Sequence, residues 1–327
     1  MNPLIDKKVL ITGGLGFIGS NLARRLVDFG NNVSVVDSLI PEYGGNLRNL
    51  HDLKDKIKID LTDIRNAYLI KELIMGQDYI FNLAGQTSHL DSMENPFIDL
   101  DINAKAQLSI LEACRKHNPQ ARIVYASTRQ IYGRPKYLPV DEKHPLHPVD
   151  VNGINKIAGE QYHILYHEVY GIASSVLRLT NTYGPRMRIK DARQTFLGIW
   201  IKNLLQGKPI QVFGNGKQRR DYNFVDDVID ALILAATSIH SIGKSFNLGA
   251  PDPLSLEQTA KIMCNQIDGA CYEMIAFPED RKVIDVGDFI CDFSAFSSSF
   301  DWNPKITFEE GITKSIDFFR EELVYYL

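Results

Sequence analysis

The stretch VLITGGLGFIGSNLARRL, residues 9–26, decides how the rest of the chain is read. It opens on an apolar run, passes glycines at 13, 16 and 19, and continues with helical periodicity from Phe17. Glycine at those points permits a tight turn and lets a ligand approach the backbone. The helix behind the loop presents unpaired N–H groups and the positive end of its dipole, which suits a pyrophosphate. A second apolar run ends at Asp37, 18 residues past Gly19. A carboxylate at that distance can accept from both hydroxyls of an adenosine ribose. Ser38, rather than an arginine, follows it, and a carboxylate repels a 2′-phosphate. The expected cofactor is therefore NAD rather than NADP, cradled by Gly13, Gly16, Phe17, Ile18 and Gly19 and read by Asp37.

Outward from the loop, strand-like and helical patterns alternate. Strands are expected at Lys8–Thr12, Asn32–Asp37, Lys56–Asp60, Tyr79–Leu83, Arg122–Ala126 and Ser174–Leu179. Most are continuous apolar runs, as strands covered on both faces of a parallel sheet read. Helices are expected at Phe17–Phe29, Ile64–Ile74, Asn103–His117 and Asn152–Tyr170. Repeated strand–helix–strand units imply an α/β chain with a Rossmann-type, doubly wound parallel sheet. Beyond Gly184 the rhythm loosens, and capping boxes mark helix starts at Ser255 and Thr307. The organisation expected is a cofactor domain over 1–184. A smaller mixed α/β substrate domain follows over 185–327, with some segments returning to the main sheet.

Composition narrows the class. The chain has 327 residues with 36 basic and 40 acidic side chains, a net charge of −4, and 44% hydrophobic content. A nucleic-acid partner is not expected, because phosphate-backbone binding calls for a basic surface. The longest apolar stretch, near Val228–Ala236, contains Asp230 and is too short to span a bilayer. The start MNPLIDKKVLITGG carries no apolar segment of the secretory type. Cys114, Cys264, Cys271 and Cys291 form no CxxC pair, so reduced thiols, a cytoplasmic setting and no metal centre are expected.

Several further motifs agree with one another: Asp60-Leu61, NLAG (82–85), Asn103, STRQIYG (127–133), Lys156 followed by IAGE, RLTNTYGPR (178–186), GNGKQRRDYNFVDD (214–227) and DWNP (301–304). With the GxxGxxG spacing, they make the chain resemble the extended short-chain dehydrogenase/reductases, the nucleotide-sugar epimerases and dehydratases. The resemblance implies Asp60 and Leu61 near the adenine, Ala84 and Gly85 beside the cofactor backbone, and Asn103 supporting the sheet edge. It implies that Asn181, Arg220 and Arg281 meet the substrate diphosphate, and that Gln86, Ser88 and His89 line the sugar pocket. A homodimer built from the helices at 103–117 and 152–170 is implied as well.

In that family a Ser/Thr, a Tyr and a Lys act together on a sugar hydroxyl. Thr128 and Lys156 match two of the three; the Tyr position, one helical turn before Lys156, is Asn152. An amide cannot serve as a general base near neutral pH. Asp150, His89, His144, His147, Tyr132 and Tyr183 all lie near matched motifs and are alternative proton acceptors. The 4,6-dehydratases carry Asp-Glu after the Thr, whereas Arg129 and Gln130 stand here, so that elimination is disfavoured. Arg129 is expected to contact an anionic or hydroxyl-rich part of the substrate. The leading expectation is NAD-dependent epimerisation of a nucleotide-diphosphate sugar through a 4-keto intermediate. A nucleotide-sugar 4-dehydrogenase and a catalytically degenerate binding protein stand beside it.

Overall fold

The computed structural model describes residues 4–327. Thirteen strands run in chain order: β1 Lys8–Thr12, β2 Asn32–Val36, β3 Lys58–Asp60, β4 Tyr79–Asn82, β5 Arg122–Thr128, β6 Ser174–Leu179, β7 Asn181–Tyr183, β8 Ile210–Phe213, β9 Arg219–Arg220, β10 Tyr222–Phe224, β11 Ser245–Leu248, β12 Leu254–Ser255 and β13 Tyr272–Ile275. The helices are α1 Phe17–Asp28, α2 Ala67–Ile74, α3 His89–Glu94, α4 Pro96–Leu100, α5 Ala106–His117, α6 Val151–Tyr170, α7 Phe196–Leu205, α8 Val225–Thr237, α9 Leu256–Cys264, α10 Glu279–Val283, α11 Ser294–Phe300 and α12 Phe308–Glu322.

A seven-stranded sheet in the order β3-β2-β1-β4-β5-β6-β11 forms the centre, and every pairing in it is parallel. Its strands are apolar on both faces because helices cover both, and Val9, Leu10 and Ile11 are fully buried. The chain reverses its direction of strand addition between β3 and β4. That leaves a crevice at the carboxyl ends of β1 and β4, the position where open α/β sheets take ligands. Thr12 pins this edge: its hydroxyl accepts from Leu83 N and Ala84 N, both at 3.0 Å, and donates to Asn82 Oδ1 at 2.9 Å.

Strands β1 and β6 fall where the sequence pattern places them, and the other boundaries move for local reasons. Helix α2 starts at Ala67 rather than Ile64 because the Asn66 side chain accepts from Leu69 N and caps it. The helix expected from Asn103 begins as a wide π turn over Asp101–Lys105, and regular geometry sets in only at Ala106. The seventh strand, β11, comes from the C-terminal half and pairs with β6. Both expected capping boxes are present, Ser255 with Gln258 and Thr307 with Glu310.

The remaining strands make three small two-stranded pairs, β7 with β10, β8 with β13 and β9 with β12. Helix α8 anchors the C-terminal segment: the Asp227 carboxylate accepts from Lys305 N and Ile306 N, and its carbonyl accepts from Trp302 Nε1. The DWNP turn is thus a clasp that closes the C-terminal segment onto α8. No helix among the described residues is long and apolar enough to cross a membrane.

Candidate active site

The glycine loop is shaped as a cradle. Gly13 has φ +68°, and a Cβ there would lie 2.9 Å from Ala84 Cα. A Cβ on Gly19 would strike the Gly13 carbonyl oxygen, whereas one on Gly16 would meet only that oxygen, at 3.2 Å, and otherwise project into open space. Gly16 therefore keeps the ground in front of the loop clear. No side chain caps α1 and no acidic residue lies in its first turn, so its N–H groups and dipole remain for a phosphate. Phe17 and Ile18 line the opening.

Asp37 directly follows β2, with its carboxylate accepting from Leu15 N at 3.1 Å and Leu39 N at 3.0 Å; burial raises its pKa against these backbone donors. The carboxylate stands beside the loop, where a ribose would follow the pyrophosphate. Asp60 Oδ1 accepts from Thr62 N at 3.0 Å, while Leu61 is 57% exposed. On the far side of the crevice, Gly85 lies so close to Asn103 and Lys156 that a Cβ would sit 3.0 Å from Asn103 Oδ1 and 3.1 Å from Lys156 Nζ. Asn103 Oδ1 is buried without a partner. These features fit NAD: a loop open to phosphates, a carboxylate for ribose hydroxyls, and an ammonium with an orphaned amide oxygen toward the nicotinamide end.

From this crevice a cavity of about 950 Å³ runs toward the C-terminal part. Thr128, Asn152 and Lys156 line it. Thr128 ends β5, and its Oγ1 accepts from Gln130 N at 3.2 Å, which leaves its own proton for a ligand. Lys156 donates to Ala126 O at 3.0 Å and lies 4.9 Å from the Tyr125 ring centre. Burial lowers the Lys156 pKa to about 8, against the opposing pull of Asp99.

Asn152 is buried and turned into the wall. Its Nδ2 donates to Gln86 O at 2.8 Å and to Asp99 Oδ2 at 3.0 Å. Both partners can only accept, so the amide NH₂ must face them. Asp99 is a hub that sequence reasoning missed: its carboxylate also takes Asn103 Nδ2 at 3.0 Å and Asn155 Nδ2 at 2.8 Å. The three amides at 103, 152 and 155 were the signal, because buried amides need a common acceptor. Gln86 and Ser88 line the cavity, but much of their polarity is spent locally. The Ser88 hydroxyl caps α3, and Gln86 Nε2 donates to Ser88 O at 2.8 Å.

The structure separates the alternative proton acceptors. The His144 ring accepts from Lys136 N at 2.9 Å and packs against Tyr132 and Tyr137. His147 is exposed and does not line the cavity. The Tyr132 hydroxyl donates to Asn247 and accepts from Arg178, and Tyr183 is a core residue whose hydroxyl faces backbone carbonyls. His89 lines the cavity, with Nδ1 3.0 Å from Asp150 Oδ2. That contact is at ion-pair distance without the alignment of a directed hydrogen bond.

Arg129, Arg220 and Arg281 also line the cavity. Arg129 packs over Phe289 and has Nη1 buried without a partner. Burial first, and then Arg220, lower its pKa to about 10, so it stays charged at neutral pH. Asn181 links it to the next strand, accepting from Arg129 Nη2 at 3.5 Å and donating to Asp221 O at 2.9 Å. Arg220 is held by Arg219 O at 2.9 Å and by Gly287 O, with Asp285 at 3.6 Å. Arg281, on α10, lies over the Phe213 ring and lines the same cavity. Asp221, unremarked in the sequence, is buried beside this group, with both carboxylate oxygens lacking a side-chain partner and its pKa raised to about 6 by burial.

Comparisons with known proteins agree with this layout. Residues 9–249 match the sequence profile described as the NAD dependent epimerase/dehydratase family. The CDP-paratose 2-epimerase of Salmonella typhi is 32% identical over 342 aligned residues, covering 95% of this chain and 98% of the relative. The UDP-glucose 4-epimerase of Thermotoga maritima, solved with UDP-glucose, superposes with a TM-score of 0.88 at 29% identity, covering 96% of this chain and 99% of the other. The UDP-glucuronic acid 4-epimerase of Bacillus cereus, solved with UDP-glucuronic acid and NAD, gives a TM-score of 0.84 at 25% identity over 96% and 99% of the two chains. A GxxGxxG cradle, a seven-stranded parallel sheet and a match over most of its length make this chain a member of the NAD-dependent epimerase/dehydratase family.

Proposed function

We propose that the chain epimerises the sugar of a nucleotide-diphosphate sugar through a transient 4-keto intermediate. The observation that carries this reading is one cavity lined both by Thr128 and Lys156 and by Arg129, Arg220 and Arg281. When bound, NAD supplies a hydride acceptor that later returns the hydride to the same carbon. Lys156, charged below pH 8, holds the nicotinamide ribose and favours loss of a nearby proton. Thr128 orients the reacting hydroxyl with the proton left over from its own capping bond. Asn181, Arg220 and Arg281 take the diphosphate, since arginine forks match phosphate oxygens. Neither Arg129 nor Gln130 can move a proton at neutral pH, which argues against 4,6-dehydration.

Incubation with a panel of nucleotide-sugars, followed by absorbance at 340 nm and by product analysis, tests the proposal. New sugars without net NADH are expected. Stable NADH accumulation would favour a one-way dehydrogenase, and neither signal would favour a binding protein.

We infer a homodimer as well. Ile154, Leu165 and Val169 of α6 are exposed at 55%, 47% and 58%, and Phe97 on the adjoining α4 at 75%. A helical face of this kind gains by burial against a copy of itself. Leu111, on the 103–117 helix expected in that interface, is fully buried on the inner face of α5 and belongs to the core. Light scattering at micromolar concentration should give a dimer mass; a monomer mass would contradict it.

A further inference from the structure

We propose that His89, oriented by Asp150, is the catalytic base that takes the sugar hydroxyl proton in place of a residue at position 152. The inference rests on the redox reading above and supplies the group that reading lacks.

Elimination points to it first. Among the described residues, no Tyr, Cys or Glu lines the cavity, and His89 is its one histidine. The carboxylates there are engaged: Asp91 with Arg193, Asp191 with Arg188 and Arg193, and Asp285 with Gln218 and Arg220. Histidine is the side chain whose proton affinity suits transfer near neutral pH.

Geometry supports the choice. His89 opens α3, whose first turn is fixed by the Ser88 cap, and its side chain is 38% exposed, so the ring can meet a ligand. Asp150 has no exposed side-chain surface. Its Oδ1 accepts from Gly153 N and its Oδ2 from Gln130 Nε2, each at 2.7 Å. Although burial pushes the Asp150 pKa up, His89 and these donors outweigh it and bring it below the usual value, so it is a carboxylate at neutral pH. A carboxylate against Nδ1 selects the Nδ1–H tautomer and leaves the Nε2 lone pair for the hydroxyl. The 3.0 Å contact lacks full alignment, as catalytic contacts commonly do before substrate draws them together.

The pair is also wired to the matched motifs. Gln130 lies two residues after Thr128, and Asp150 caps the helix that carries Lys156. Ser92 Oγ ties the two helices, donating to His89 O at 2.7 Å and accepting from Asn152 N at 3.2 Å. Other charged groups that line the cavity with His89 include Asp91 on its own helix, engaged by Arg193, and Lys156 and Arg129.

In the oxidative half-reaction the hydroxyl O–H bond breaks and its proton passes to Nε2. The C–O bond becomes a carbonyl as the hydride leaves that carbon for oxidised NAD, and the reverse half-reaction returns both. His89 is the catalytic residue and Asp150 a positioning residue.

The test uses the full-length enzyme. His89→Gln should lower turnover about 10²–10⁴-fold, with NAD binding by calorimetry unchanged as a control for folding. Asp150→Asn should shift the acid limb of the kcat/KM–pH profile. Nitrogen-15 spectra of cofactor-free protein should show neutral His89 as the Nδ1–H tautomer in the wild type, and a rise of the Nε2–H form in Asp150→Asn. A folded His89→Gln variant with wild-type turnover, or an unchanged tautomer in Asp150→Asn, would overturn the dyad and leave the redox reading standing. A hundredfold gain from Asn152→Tyr alone would also overturn it. Wild-type enzyme that binds NAD but transforms no nucleotide-sugar would overturn the redox reading and the dyad with it.

Discussion

The two walls of the crevice are built in different ways. On the cofactor side, the strand, loop and helix over residues 8–28 are consecutive, and local chemistry fixes them: glycine where backbones touch, apolar residues where the strand is covered, an uncapped helix start facing the opening. The wall opposite is assembled from 86–89, 99–103, 128–130 and 150–156, four segments held together by helix packing and by side-chain hydrogen bonds. The contiguous wall takes its shape from neighbouring residues and is pinned to the rest of the sheet at Thr12 and Gly13, which meet residues 82–84. The assembled wall depends on partners far off in sequence.

Perturbing each wall separately sharpens this contrast. The largest effect is expected from Lys156→Met, with turnover falling at least about 10²-fold as the positioning charge is lost. The same change should stabilise the protein by about 1–3 kcal/mol in denaturant unfolding at pH 7, because a buried ammonium is removed. The pH dependence has a definite sign. Burial lowers the Lys156 pKa from its ordinary 10.5 to about 8, so between those values the unfolded chain holds more protons than the folded one. Wild-type stability therefore rises with pH across that window and is flat with respect to this group below it. The variant should lose that slope, and an unchanged slope would break the assignment.

A smaller effect is expected at the arginines that line the cavity. Arg220→Ala should weaken binding of a nucleotide-diphosphate sugar by about 1.5–3 kcal/mol, the usual scale for a hydrogen bond to a charged group. NAD affinity by calorimetry should stay unchanged, and equal loss of both ligands would mean that the two binding regions are not separable. Smallest is Asp37→Asn, which keeps an acceptor for one of the two backbone donors, Leu15 N and Leu39 N, while removing the charge. Preference for NAD over NADP should fall about tenfold, roughly 1.4 kcal/mol, as repulsion of the 2′-phosphate is lost. A preference that does not move would break the reading of Asp37.

The same contrast explains what the sequence makes legible. The first six strands, the glycine cradle and the two capping boxes follow from patterns within about twenty residues, and they stand within two residues of where those patterns put them. Strand β11 is short and returns from the other half of the chain, so nothing local ties it to the sheet. The absence of a tyrosine at 152 is plain in the sequence, and His89 and Asp150 are visible among several candidates. Their pairing is not, because 61 residues separate them and only the packing of α3 against the start of α6 brings them to 3.0 Å. Asp99 is hidden for the same reason: Asn103 is one turn on from it, but Asn152 and Asn155 lie 53 and 56 residues away, near the start of α6.

The central claim is that a hydride leaves a sugar carbon and returns to that same carbon inside this cavity. It is tested most directly with a nucleotide-sugar that the enzyme turns over, carrying deuterium on the carbon to be oxidised, and with the product epimer analysed by mass spectrometry and proton NMR. Full retention of deuterium on that carbon, with none lost to solvent, is the predicted result. Replacement of the label by solvent hydrogen would contradict it and would point to inversion by proton abstraction from carbon.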